Sequence, residues 1–179
     1  KRSFLLDAGA GSGKTYSLVM ALKHVLATQS DLLRRHAQQV ACITYTNVAK
    51  DEIIERTAHS SLILVSTIHE FLWSVIQGYQ KPLKTALIKF NEQLDAASAR
   101  KKDAAELVKA LPGLSVTYSE FGSNFIEGRI HHDDLIGVSG LLFKDNPLLA
   151  KIVAAKYPVI FVDEYQDINP SQYQLIRLL

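Results

Sequence analysis

The chain has 179 residues, room for one ordinary domain or one domain with an insertion. Hydrophobic residues make up 47% and charged residues 21%, which excludes a disordered or collagen-like chain. The lone Cys42 excludes a disulfide-stapled scaffold, and no apolar run approaches the roughly 18 residues that span a bilayer. With 20 basic against 18 acidic residues, the formal charge of +2 is too weak to indicate nucleic acid by itself, although a local basic groove is compatible with it.

In chain order, Ser3–Leu6 predicts a short strand running into a Gly-rich loop, Asp7–Gly13. Leu18, Val19, Leu22, Val25 and Leu26 then fall on one face of a helix. Val40–Tyr45 predicts a buried strand, Val48–Thr57 a helix and Leu62–Val65 a further strand. Thr67 and Glu70 have the spacing of a capping box opening a helix over Phe71–Ile76. Strand–helix alternation with continuously apolar strands predicts an α/β parallel sheet covered by helices.

From about Gln77 to Ile130 no strongly apolar strand is expected. Helices are predicted over Leu83–Ala97 and Arg100–Leu111, the second ended by Pro112-Gly113, and this region reads as a helical insertion. The α/β pattern then resumes. Asn146-Pro147 predicts an N-cap and first-turn proline, and Tyr157-Pro158 a stop. Val159–Val162 is the most buried-looking strand and ends in Asp163-Glu164; Asn169-Pro170 opens a last helix. A strand directly at the start and an unstopped helix at the end suggest a piece of a longer chain.

Ala8-Gly9-Ala10-Gly11-Ser12-Gly13-Lys14-Thr15 fits a Walker A loop, with Ala8 in place of the first Gly. Glycines let successive N–H groups turn inward onto phosphate oxygens, and the following helix adds its positive end. In that arrangement Lys14 reaches the β- and γ-phosphates of ATP, and Thr15 offers its hydroxyl to Mg²⁺. The metal also needs a carboxylate at a neighbouring strand end. Asp163 would hold it through water, and Glu164 would orient and deprotonate an attacking water. A water-activating Glu favours a hydrolase over a phosphotransferase.

Four segments in this order resemble motifs I, Ia, Ib and II of superfamily 1 DNA helicases of the UvrD/Rep type: Ala8–Thr15, Thr44–Glu52, Ser66–Phe71 and Asp163–Asn169. Asp-Glu-Tyr-Gln-Asp at 163–167 is the most specific. The resemblance implies a RecA-like P-loop fold, with residues 1–75 and 131–179 as domain 1A and 76–130 as the helical insertion 1B. It implies ATP-driven translocation on single-stranded DNA, usually 3′ to 5′, in the cytoplasm and away from membranes. The expected partners are the remainder of the same chain, a second RecA-like domain, and a nuclease or repair protein. An isolated fragment is expected to bind ATP·Mg²⁺ weakly and turn it over very slowly.

On the same resemblance, Thr46 and Asn47 would hold DNA phosphate and Tyr45 would lie near a base, while Thr67 and His69 would reach the backbone. Tyr45 reads equally as a packed strand-end aromatic, Thr67 as an N-cap and His69 as a structural histidine. The sequence departs from the family in lacking an upstream adenine-reading glutamine motif. It also carries Tyr16 where many members have Arg, to stack on adenine or simply pack, and Val48 where motif Ia commonly has Lys. A DNA-dependent ATPase switch in a nuclease-linked repair or phage-defence assembly would show the same motifs. His131-His132-Asp133-Asp134 reads as an acidic helix start rather than a metal site, since adjacent residues rarely aim at one ion. Arg100-Lys101-Lys102 reads as a solvated helix face or a DNA phosphate contact, and Cys42 as a small core residue.

Overall fold

The computed structural model describes residues 13–178. The predicted strand Ser3–Leu6 and the loop residues Ala8–Ser12 lie outside the described residues.

Helix α1 (Lys14–Arg35) runs into strand β1 (Val40–Thr44), helix α2 (Asn47–Arg56), strand β2 (Ile63–Thr67) and helix α3 (Ile68–Ile76). After the insertion come α6 (His132–Asp145), α7 (Pro147–Lys156), β5 (Val159–Val162) and α8 (Pro170–Leu178). Among the described residues the main sheet is parallel, in the order β2-β1-β5. Parallel neighbours require crossovers, and the helices that make them cover both faces.

β1 is central and buried at all five positions, and its alternating side chains divide the interior. Ala41 and Ile43 face a core built from Phe71, Leu72, Leu135, Leu142 and Val153. Val40 and Cys42 face a second core with Val19, Leu22, Val25, Leu33 and Ile53, so the apolar face predicted for α1 packs as expected. The buried thiol of Cys42 is pushed up to about 12, first by burial and then by the charge of Asp163, which suits an inert core residue.

Several expectations are corrected. β5 is only half-buried along its length, and the fully buried strand is β1. Within the insertion, α4 spans Gln80–Gln93 rather than 83–97. Helix α5 spans only Ala104–Ala110, because Asp103 is its N-cap, accepting from Glu106 N–H at 2.9 Å. Two short parallel strands, β3 (Thr117–Ser119) and β4 (Arg129–His131), stand where no strand was predicted. Asn146 precedes Pro147 as expected, but its side chain makes no cap; its amide donates back to the Leu142 carbonyl at 2.8 Å.

The insertion packs into the same core as the sheet. Leu83, Leu87, Leu107, Leu111, Val116 and Phe125 are continuous with Phe71 and Leu135. Buried Asn91 closes the connection to α5, donating to the Lys102 carbonyl and accepting from its N–H. Arg100-Lys101-Lys102 is therefore not a solvated helix face. Arg100 pairs with buried Asp134, and Lys101 donates to the Leu94 carbonyl at 2.7 Å. Among the described residues no helix is long and apolar enough to cross a membrane.

Candidate functional site

The parallel register gathers the candidate residues at one edge of the sheet. Thr44 is opposite Thr67, Ile43 is opposite Val162, and the Asp163 N–H donates to the Ile43 carbonyl at 2.8 Å. Asp163, Tyr45 and the start of α3 therefore all leave from the carboxyl ends of adjacent strands, the side on which open α/β sheets bind ligands.

α1 brings the basic partner to that edge. Gly13 precedes it with φ of 80°, a left-handed conformation that glycine takes without steric cost. Lys14 is the first residue of a 22-residue helix whose first turn carries no acid, a suitable end for an anion. Its Nζ lies 3.6 Å from Glu164 Oε2. Thr15 follows in the same turn, half-buried, and Tyr16 is 62% exposed rather than packed in the core. Ala8, Gly9, Ala10, Gly11 and Ser12 lie outside the described residues.

Asp163 is buried, and burial raises its carboxyl above the ordinary range. The Glu164 N–H draws it back, the Glu164 charge pushes it up, Lys14 draws it down, and Glu52 pushes it up again. The acid is thus under-compensated by its surroundings. Glu164 sits in the left-handed region at φ 49°, rare for a residue with a side chain, and its Oε2 also accepts from the Gln166 amide. Such local strain is found preferentially at functional positions.

The expected nucleic-acid residues flank this pair. Tyr45, Thr46, Asn47 and Val48 form an exposed run from the end of β1 into the first turn of α2; Tyr45 is 56% exposed and so is not a packed core aromatic. The Thr46 hydroxyl caps α2 by accepting from Ala49 N–H at 3.2 Å, and Asn47 begins the helix. Thr67 makes the predicted capping box in full: its hydroxyl accepts from Glu70 N–H at 3.3 Å, and its own N–H donates to Glu70 Oε2 at 2.8 Å. His69 is half-buried, its ring edge on His132 at 5.4 Å. Its pKa is lowered by burial first and then by the neighbouring His132, against the opposing pull of Asp133.

Two contacts had no sequence signal. Lys50 of α2 donates to Glu70 Oε1 of α3 at 2.8 Å, tying the segment after β1 to the segment after β2. Asp134, read only as part of an acidic turn, accepts from both Arg100 and Ser123. Both pairings join residues on different elements, which no local pattern announces.

A family profile described as an AAA domain matches residues 1–179. Curated relatives match 98% of the chain: Gabija protein GajB of Bacillus cereus at 28% identity, ATP-dependent DNA helicase PcrA of Bacillus subtilis at 27%, and ATP-dependent DNA helicase UvrD1 of Mycobacterium leprae at 26%. The chain spans 37%, 29% and 28% of their respective lengths. With an α/β parallel sheet of RecA-like type beneath a matching profile over its whole length, the chain belongs to this AAA domain family and resembles the N-terminal part of UvrD-like helicases.

Proposed function

We propose that the chain is the ATP-binding half of an ATP-dependent DNA helicase or translocase moving along single-stranded DNA, 3′ to 5′. The supporting observation is the meeting of Lys14 with Asp163-Glu164 at the carboxyl edge of the sheet. The residues fit ATP and Mg²⁺: a long helix begins at Lys14 with no acid in its first turn, and the buried acid facing it is under-compensated.

Ala8–Thr15 and Tyr16 would bind the nucleotide, and Thr15 and Asp163 would hold Mg²⁺ through oxygen donors, the type this ion takes. ATP·Mg²⁺ supplies the scissile phosphoanhydride and the divalent charge. Lys14 Nζ neutralises phosphate charge, and Glu164 Oε2 takes the proton of the attacking water; positioning and charge do most of the remaining work. Tyr45 would stack on a base without reading sequence. Thr46, Asn47, Thr67 and His69 would follow the phosphates.

Residues 76–130 would form subdomain 1B against a 1A domain of residues 1–75 and 131–179. The remainder of the chain would supply a second RecA-like domain, and the protein would work in the cytoplasm.

The test is Glu164→Gln in the full-length protein. ATP binding is expected to persist while DNA-stimulated turnover falls by a factor of about 10² or more. Near-normal turnover would remove Glu164 from the role given to it. A second reading, a DNA-dependent ATPase switch in a nuclease-linked repair or phage-defence assembly, is kept because the 28%-identical relative is not named a helicase. A translocation assay separates the two, since a switch hydrolyses ATP without moving.

A further inference from the structure

The two segments proposed to lie along DNA, residues 45–47 and 67–69, leave from neighbouring strands, but the helices that follow them lie on opposite faces of the sheet. Ile53 of α2 belongs to the core of Val40 and Cys42, whereas Phe71 and Leu72 of α3 belong to the core of Ala41 and Ile43. The apolar cores therefore hold each helix to the sheet rather than to the other helix. The parallel ladder holds only the strand ends: its last pair is Thr44 with Thr67, and residues 45–47 stand beyond it.

A ring of polar contacts closes this gap. The Thr44 hydroxyl donates to the Thr46 carbonyl at 3.2 Å, and the Lys50 N–H donates to the same carbonyl at 3.1 Å. Lys50 lies one helical turn beyond Thr46, and its Nζ crosses the edge of the sheet to Glu70 Oε1 at 2.8 Å. Glu70 Oε2 in turn accepts from Thr67 N–H at 2.8 Å, and Thr67 stands opposite Thr44. Lys50 is the single basic residue of the stretch 44–52. Its side chain is 22% exposed, whereas Val48, where the family resemblance expects a lysine, is 78% exposed. The one cation of the stretch is thus turned to the neighbouring helix.

We infer that Lys50 is a positioning residue for nucleic-acid binding: through Glu70 it fixes the separation of residues 45–47 from residues 67–69, so that both segments meet one DNA strand at once. That role rests on the reading of these segments as the DNA side of the chain. Groups set in place before binding need not be ordered at binding, which is a gain in affinity. The brace therefore acts on the DNA and not on the phosphate chemistry at Lys14 and Asp163-Glu164.

The test is a double-mutant cycle of Lys50→Met and Glu70→Gln in the full-length protein, read as ATP turnover against the concentration of a deoxythymidine oligonucleotide. Glutamine retains the acceptor of the α3 capping box, so Glu70→Gln removes the charge that Lys50 meets and leaves the cap. Each single variant is expected to raise KM for DNA about threefold or more, with the double variant no worse than either. KM for ATP and DNA-independent turnover should stay as in wild type. A lowered melting temperature with KM for DNA unchanged would make the pair a structural tie only and overturn the assignment. Additive losses would overturn it too, as would a raised KM in Lys50→Met with none in Glu70→Gln, because Lys50 would then bind phosphate itself. Wild-type turnover indifferent to DNA would instead overturn the reading of the DNA side, and this role with it.

Discussion

Lys14 Nζ stands 3.6 Å from Glu164 Oε2, although the two residues come from opposite ends of the chain. Both side chains are partly exposed, at 29% and 37%, and exposed pairs contribute little to folding. Lys14→Met is therefore expected to change stability by less than about 1 kcal/mol in urea denaturation. The same variant of the full-length protein should lose ATP binding. A large loss of stability with ATP binding intact would make the pair a structural tie rather than part of a phosphate site.

The Thr67–Glu70 box gives a second test. Burial raises the Glu70 carboxyl, but the Lys50 hydrogen bond, the Thr67 N–H and the Lys50 charge together hold it below its ordinary value of 4.5. A depressed acid adds stability above its unfolded value and loses it as pH falls through the lower folded value. Wild type should therefore lose stability as pH drops below about 4.5, and Glu70→Gln should flatten that part of the profile. With Glu70 46% exposed, the effect should stay under about 1 kcal/mol. Thr67→Ala removes the cap itself and should cost about 1 kcal/mol at any pH. An unchanged profile in Glu70→Gln would mean the Lys50 contact does not persist in solution.

Local chemistry explains what the sequence made readable. The Thr67–Glu70 spacing is a short-range signal, and both halves of the box form. Asn169 likewise opens α8 by a reciprocal exchange, accepting from Gln172 N–H while Gln172 Oε1 accepts the Asn169 N–H. Burial was harder to read. Val159–Val162 is as apolar as Val40–Thr44, yet it is half-buried, because burial depends on place in the sheet as well as composition. The basic run at 100–102 misled for a similar reason: its partners, Asp134 and the Leu94 carbonyl, are set by tertiary folding. The convergence of Lys14 with the Asp163-Glu164 strand end was readable because strand-end geometry in a parallel sheet leaves little choice of edge, whereas the direct Lys14–Glu164 contact had no such signal.

Arg100 and Asp134 should respond unequally to mutation. Asp134 is 1% exposed, whereas the Arg100 side chain is 46% exposed. Removing Arg100 leaves a buried carboxylate with, among the described residues, Ser123 as its remaining side-chain donor, so Arg100→Met is expected to cost about 3 kcal/mol. Asp134→Asn keeps the shape and leaves an arginine that water can reach, and should cost less. Chemical denaturation of both variants decides the order. If Asp134→Asn were the more damaging, the attraction of the carboxylate's charge would outweigh the cost of burying it.

Gly137 sets two helix effects against each other. It lies mid-helix in α6, where alanine would ordinarily gain about 1 kcal/mol in helix propensity. A Cβ there would stand 2.3 Å from Phe90 Cε2 and 3.0 Å from Phe90 Cδ2. Phe90 has little freedom to retreat, because it packs edge-on against Phe125, itself fully buried in the core shared by the insertion and the sheet. Overpacking of this kind costs about 1–3 kcal/mol, which outweighs the propensity gain. Gly137→Ala is therefore expected to lower stability, and the double variant Gly137→Ala with Phe90→Leu to recover part of the loss. A stabilised Gly137→Ala single variant would mean that α4 and α6 are less closely packed than the Phe90 contact requires.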